Sequence, residues 1–294
     1  MALDGAALEE QLGTRRFRPC GPLEITTLGW CAPTGEDTAA LVHGVNGCLL
    51  MSARRQERLL PSTVVAEAVD ERVAEIEGAE IRTLGRAERR RLREDILTEM
   101  LPRAFLRSRR IPAYLDTVAG WLVVDAASDK VAEEVVTLLR ETLGSLPARP
   151  PAPNRPVGPL LTHWVEHNDL PPGFALGQDC ELRDAKDAQS VVRCRGQDLA
   201  GEEIQGHLRA GKEVVNLALE WDDHLSLLLR EDLSLRRLRL ADALIEDAFG
   251  SGIEDPKARL DAELALIALE LRGLLARLSD IFDLAAEQAP PAGP

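Results

Sequence analysis

Apolar positions along this chain change period several times, and each change marks an element. Residues 4–12 recur helically. Residues 17–37 lose their period at Pro19, Pro22, Gly29, Pro33 and Gly35, which predicts loop with one short strand near 26–30. Asn46-Gly47 then separates two apolar runs, LVHGV and CLLMSA. Asn-Gly accepts the positive φ angles of a tight two-residue turn, so a β-hairpin is predicted here. Its second strand runs from Cys48 towards Arg54. From Pro61-Ser62 the period lengthens. Val65, Val69, Val73 and Ile76 mark one face of a helix that Gly78 ends or weakens. A second helix covers 85–101, with Leu92, Ile96, Leu97 and Met100 on one side and arginines elsewhere. Pro102 stops it. Two amphipathic helices with a short break make a helical hairpin. A second β-hairpin pairs 110–116 with 121–126 around Thr117-Val118-Ala119-Gly120. Helix 128–143, capped by Ser128 or Asp129, turns Val131, Val135, Leu138, Leu139 and Thr142 inward and closes at Gly144.

The plainest boundary is 147–159, PARPPAPNRPVGP, whose proline density suits a stiff extended linker. Beyond it the pattern predicts a short helix over 160–166 and strands over 173–183, 190–195, 213–221, 224–230 and 233–240. A helix lies at 200–210, Asp222-Asp223 makes a turn, and an amphipathic helix runs from Pro256 to about Ala285. The fold class is therefore α+β: two sheet-bearing regions, the first carrying the inserted helical hairpin. The expected domains are 1–60 with 102–146 as a central sheet, 61–101 as the insertion, 147–159 as linker and 160–294 as a second α+β domain.

Composition narrows the picture. Aromatics are 3% of the chain, so the core rests on Leu, Val, Ala and Ile. The five cysteines are odd in number and form no CxxC pair, which predicts free thiols in a reducing compartment. No apolar run reaches the ~18 residues of a membrane span. The start, MALDGAALEE, lacks the basic-then-apolar order of a signal peptide. The expectation is a soluble, cytoplasmic protein.

The formal charge is -14, yet Arg82 to Arg110 holds ten arginines against four acids, a local +6. Salt screens distant charge over roughly 8–10 Å, so such a segment can bind a polyanion that the rest of the chain repels. The plainer reading is a solvated helix face laced with ion pairs.

A search for catalytic chemistry finds no constellation. There is no Walker A loop, no GxGxxG after a strand and no GxSxG elbow. His163 and His167, four apart with Glu166 between them, would share a helix face, but the HExxH order is not met and no third ligand is evident. Surface histidines are the simpler reading. Cys20 and Cys31 read as small buried residues. No cofactor is called for. Binding remains. Arg103, Arg107, Arg109 and Arg110 surround Phe105 where the helices hand over to the next strand. Arginine neutralises phosphate, and a projecting aromatic wedges or stacks on bases; a single Phe is by default buried. A smaller candidate is VVRCRGQDL, where Arg193, Arg195 and Gln197 approach a turn. Arg236, Arg237 and Arg239 form a third basic spot, with Arg236 on one face of a strand and the other two opposite.

Taken together, FRPCGP, LGWCAPTG, HGVNG, ERLLPSTVV, LPRAF, DTVAGWLVVDAAS, LLRETLGSLP, LTHWV, GQDLAGEEI, AGKEVVNLALEW and SLRRLRLAD fall in one order over nearly the whole chain. In this the sequence resembles the recombination-associated RdgC family of bacterial DNA-binding proteins. The resemblance implies a non-enzymatic, nucleoid-associated protein without cofactor. It implies a horseshoe-shaped subunit, a helical tip at about 61–101, and a homodimeric ring that binds duplex DNA without sequence preference and antagonises RecA. It also assigns function to Phe105 and a DNA contact to Gln197, where Gly196 stands in place of the family's lysine beside Arg195. Family members usually begin with a strand ahead of the first helix; this sequence begins at the helix, so an exposed sheet edge is expected. Two other readings compete. One is a protein-interaction module whose arginines meet an acidic partner. The other is a metal-dependent enzyme built on His163 and His167.

Overall fold

A computed structural model of the chain describes residues 4–34, 40–249 and 255–284. Gly35 and the far end of the closing helix at Ala285 lie outside the described residues. The fold is mixed α+β. The chain divides into two compact units, Met1–Pro147 and Ala148–Pro294, each built on a five-stranded antiparallel sheet.

In the first unit the elements run α1 (Gly5–Gly13), β1 (Thr26–Cys31), β2 (His43–Val45), β3 (Cys48–Leu59), α2 (Ser62–Glu80), α3 (Arg86–Met100), β4 (Phe105–Asp116), β5 (Trp121–Val124) and α4 (Asp129–Leu143). The sheet order is β1-β3-β4-β5, and β2 pairs with the start of β3. Asn46 (φ 50°) and Gly47 (φ 78°) make the tight turn the sequence predicts. Apolar side chains of alternate strand positions meet the stripes of α1 and α4. Leu8, Leu12, Trp30, Met51, Ala53, Ile111, Val135, Leu138 and Leu139 form the core. Trp30 is fully buried, and its indole N–H donates to Thr142 Oγ1 at 2.9 Å, so the ring brings no orphan donor inside. Ser128 caps α4 through Val131 N, and Gly144 ends it at φ 74°.

The second unit contains α5 (Val157–His167), β6 (Phe174–Asp184), β7 (Val191–Cys194), α6 (Glu202–Arg209), β8 (Lys212–Trp221), β9 (Leu225–Arg230), β10 (Leu235–Leu240), α7 (Asp242–Phe249) and α8 (Pro256–Phe282). The strand order is β10-β9-β8-β6-β7. Trp164, Phe174, Trp221 and Phe282 group together, with the Phe174 and Trp221 ring centroids 4.8 Å apart. On α8, Leu264, Ala268, Leu271, Leu274, Leu278 and Phe282 are buried at three- and four-residue steps. Pro153 bridges Leu284, while Asn154 N and Arg155 N donate to the carbonyls of Asp283 and Phe282.

Several boundaries differ from the sequence expectation. β3 continues past Arg54 to Leu59, and β4 starts at Phe105 instead of residue 110. α2 runs through Gly78, where an added Cβ would meet nothing within 4 Å, and ends with Ile81 left-handed at φ 51°. A mid-helix glycine costs only about 1 kcal/mol, so it slows a helix without stopping it. α5 begins inside the predicted linker, with Pro159 in its first turn, where no backbone N–H is needed. Helix α7 was not anticipated. The outer edge of β1 is met at Trp30 by residues 15–17. Phe17 N donates to Trp30 O at 2.7 Å, and Trp30 N donates to Arg15 O at 2.9 Å.

Candidate nucleic-acid interface

β3 and β4 pair without interruption from Cys48↔Asp116 to Leu59↔Phe105. The inner half of this ribbon is covered by the core. The outer half, residues 105–110 of β4, is exposed on both faces. Because side chains alternate along a strand, the ribbon sorts the arginines by parity. Phe105, Arg107 and Arg109 share one face and stand opposite Leu59, Glu57 and Arg55. Leu106, Ser108 and Arg110 take the other face, opposite Arg58, Gln56 and Arg54. The predicted cluster around Phe105 is therefore split: Arg110 points away from Arg107 and Arg109. Arg103 sits in a 3-10 turn (Leu101–Arg103) just before the strand and is exposed.

Phe105 is 83% exposed, which overturns the default of a buried ring. Leu59, its cross-strand neighbour, is 42% exposed, and Leu23 and Ile25 are exposed as well. A joint beneath the aromatic holds the strand entry in place. Arg58 Nη1 donates to the carbonyls of Leu101 (2.8 Å), Pro102 (3.3 Å) and Ala104 (3.4 Å), and Nη2 donates to Gly21 O (3.1 Å). Arg58 thus ties the 3-10 turn to β3, which leaves it a structural arginine.

Along the Phe105 face, Glu57 accepts from Arg107 Nε at 2.8 Å and also pairs with Arg55. Arg55 Nε lies 3.1 Å from Glu134 of α4. The Glu57 carboxyl is held below the usual carboxylate range, mainly by the Arg107 hydrogen bond and then by that from Arg55, against the opposing effect of burial. Arg109 faces Arg55 directly and has no hydrogen-bond or ion-pair partner among the described residues. Like charges placed opposite each other on a ribbon destabilise it. Here the carboxylates of Glu57 and Glu134 beside Arg55 offset that repulsion in part. On the other face, the Arg54 guanidinium lies 4.6 Å from the centre of the Phe17 ring. Sequence reasoning missed Arg54 and Arg55 because they lie outside the arginine-dense segment; the signal was the hairpin itself, which brings RRQER alongside LRSRR.

The helices carry the rest of the segment. α2 packs on α3. There, Arg82 pairs with Glu80 and Glu88, Arg89 with Glu77, and Arg90 lies 3.8 Å from Glu94. The ion-pair reading therefore holds for these three. Arg86, Arg91 and Arg93 are exposed without such partners among the described residues.

In the second unit, Arg193 pairs with its cross-strand neighbour Glu181 at 2.7 Å. Arg195 and Gln197 follow the end of β7 on an exposed turn. Gly196 N donates to Asp179 Oδ1 at 3.0 Å, and Gln197 N donates to Gln178 O at 3.0 Å. Gly196 has φ 59°, a conformation that disfavours a side-chain-bearing residue. Arg237 bonds Asp179 Oδ2 at 2.8 Å, so one carboxylate holds both the turn and β10. Arg239 is exposed, and the strand bulges between Arg236 and Arg239. The imidazoles of His163 and His167 lie 4.4 Å apart. Among the described residues no three His, Cys, Asp or Glu side chains are grouped to hold a metal ion. No described helix is long and apolar enough to cross a membrane.

Comparison with known proteins adds the context. Residues 1–285 match the family model described as "Putative exonuclease, RdgC". A recombination-associated protein RdgC from Halorhodospira halophila is 40% identical over 290 residues, covering 99% of this chain and 95% of that protein. Proteins of the same name from Yersinia pestis and Yersinia pseudotuberculosis are 39% identical over 278 residues, 95% of this chain and 92% of theirs.

Proposed function

This chain belongs to the RdgC family of recombination-associated proteins, and we propose that it binds duplex DNA without sequence preference. In this reading it acts as a homodimer that encloses the duplex and restrains RecA-promoted strand exchange, without catalysing a reaction. The observation that carries the reading is the outer β3–β4 ribbon. It presents arginines and one exposed aromatic on an open strand pair of an otherwise acidic protein. Arg103, Arg107 and Arg109 meet phosphates, Phe105 meets the base stack, and Arg110 serves the opposite face. Arg195 and Gln197, with Arg193 once released from Glu181, supply a second contact. The sequence carries no recognition-helix, zinc-finger or basic-zipper signature, so in this reading backbone charge and DNA shape govern binding.

The test is a fluorescence-anisotropy titration of a 30-base-pair duplex at several salt concentrations. Phosphate-led binding gives a steep log–log salt dependence, with a slope of about 0.9 per phosphate neutralised and the same value for an unrelated sequence. No binding at low salt, with capture of an acidic protein that survives nuclease, would replace the DNA reading with that of a protein-interaction module. Shortening of the labelled strand in magnesium would restore the nuclease implied by the family description.

A further inference from the structure

We propose that Arg55, Arg107 and Arg109 form a dedicated phosphodiester site on the β3–β4 ribbon, that Glu57 occupies this site in the free protein, and that DNA binds there by displacing the Glu57 carboxylate. The proposal rests on the duplex-binding reading and adds a residue-level mechanism to it.

Three observations carry it. The first is geometry. Glu57 is directly opposite Arg107 and is followed along the same face by the opposed pair Arg55 and Arg109. Its two oxygens are shared between the arginines: Oε1 accepts from Arg107 Nε at 2.8 Å, and Oε2 pairs with Arg55. A carboxylate held by guanidinium donors from two sides has the charge and hydrogen-bonding pattern of a bound phosphate. The second observation is space. Arg55, Glu57, Arg107, Arg109 and Val131 of α4 line a cleft of about 30 Å³. Glu57 is one of its walls, so an anion that enters this cleft meets the three arginines and the carboxylate together. Arg107 is 52% exposed and Glu57 only 20%, so this donor reaches solvent over a shielded carboxylate. The third observation is charge balance. Arg55, Arg107 and Arg109 are offset by Glu57 and Glu134. The site therefore carries a net charge of only +1 when closed, and its cationic character doubles when Glu57 swings out.

The consequence is a ribbon that holds non-specific polyanions weakly until the phosphate geometry is good enough to exchange with Glu57. Exchange of one anion for another releases fewer counterions than binding to bare arginine. The wild-type salt slope is accordingly shallower than the arginine count suggests.

The experiment compares wild type, E57Q, R55Q and R55Q/E57Q in the same duplex titration across salt, with thermal unfolding as a folding control. E57Q keeps the side-chain shape and removes the competing charge. It is expected to bind the 30-base-pair duplex about tenfold more tightly at low salt, with a log–log slope steeper by about 1. The gain is expected to vanish in R55Q/E57Q. Should E57Q fail to fold, E57A, which also removes the competing charge, is expected to show the same gain. A wild type that binds with a salt slope, alongside an E57Q protein of equal or weaker affinity, overturns the proposal and leaves the DNA reading standing. A gain that persists in R55Q/E57Q reduces it to a general charge effect and overturns it too. A wild type that binds no duplex overturns the reading on which it rests.

Discussion

Truncating Phe105 to alanine separates a structural ring from a binding one. The side chain is 83% exposed, so about a sixth of its surface is covered. Full burial of a Phe is worth about 1.5–3 kcal/mol, and that fraction comes to about 0.3–0.5 kcal/mol. Loss of strand preference adds a few tenths, so the total cost of F105A stays below about 1 kcal/mol. A core Phe would cost about 3–5 kcal/mol. Base stacking or wedging by an aromatic contributes about 1–3 kcal/mol, equivalent to about 5- to 150-fold in Kd. F105A is thus expected to unfold in urea close to wild type while losing at least fivefold in duplex affinity. The salt slope should not change, because no phosphate contact is removed. Tryptophan fluorescence follows the first quantity and anisotropy the second. A stability loss above 2 kcal/mol would show that the ring is packed, and an unchanged Kd would remove Phe105 from the interface.

Two further outcomes follow from the surrounding structure. A Cβ at Gly29 would lie 2.6 Å from Phe17 Cα and 2.8 Å from Phe17 N, both backbone atoms. G29A is therefore expected to lower stability by about 1–3 kcal/mol in denaturant titration; a variant as stable as wild type would show that residues 15–17 are not held against β1. Burial, reinforced by Cys194 across the ladder, pushes the Cys180 thiol up to about 12. At pH 8 it is almost wholly protonated and should resist alkylation in the native protein. Rapid labelling of Cys180, read by mass spectrometry, would contradict that placement.

The elements that could be read from the sequence are those whose burial is one-sided. Val135, Leu138, Leu139 and Thr142 declare α4, and Leu225, Leu227 and Leu229 declare β9, because each faces a core on one side and solvent on the other. Asn46-Gly47 declares its turn through φ alone. The outer ribbon fails this test. Residues 105–110 are exposed on both faces, so no apolar alternation exists to reveal a strand; 54–59 are largely half-buried, but five of these six residues are polar, so burial there leaves no apolar period either. The arginine-rich segment was visible, but its division was not. Whether an arginine lies on α3, on the 3-10 turn or on one side of β4 decides its neighbours, and that depends on where the strand begins. Phe105 was misjudged because an exposed aromatic is rare and only the end of a projecting strand pair explains it. Arg55 was missed because its partners Arg109 and Glu134 lie 54 and 79 positions away in sequence.

The second unit closes its own chain. Residues 153–155 are stitched to 282–284 by a bridge and two backbone hydrogen bonds, so the first and last described stretches of this unit's secondary structure lie side by side. A unit with neighbouring ends behaves as a cassette. A short linker from residue 284 back to 153 should permit circular permutation, with new termini opened at the Asp222-Asp223 turn. The same adjacency lets such a body be gained, lost or grafted as a single insertion, leaving the host chain's path almost unchanged.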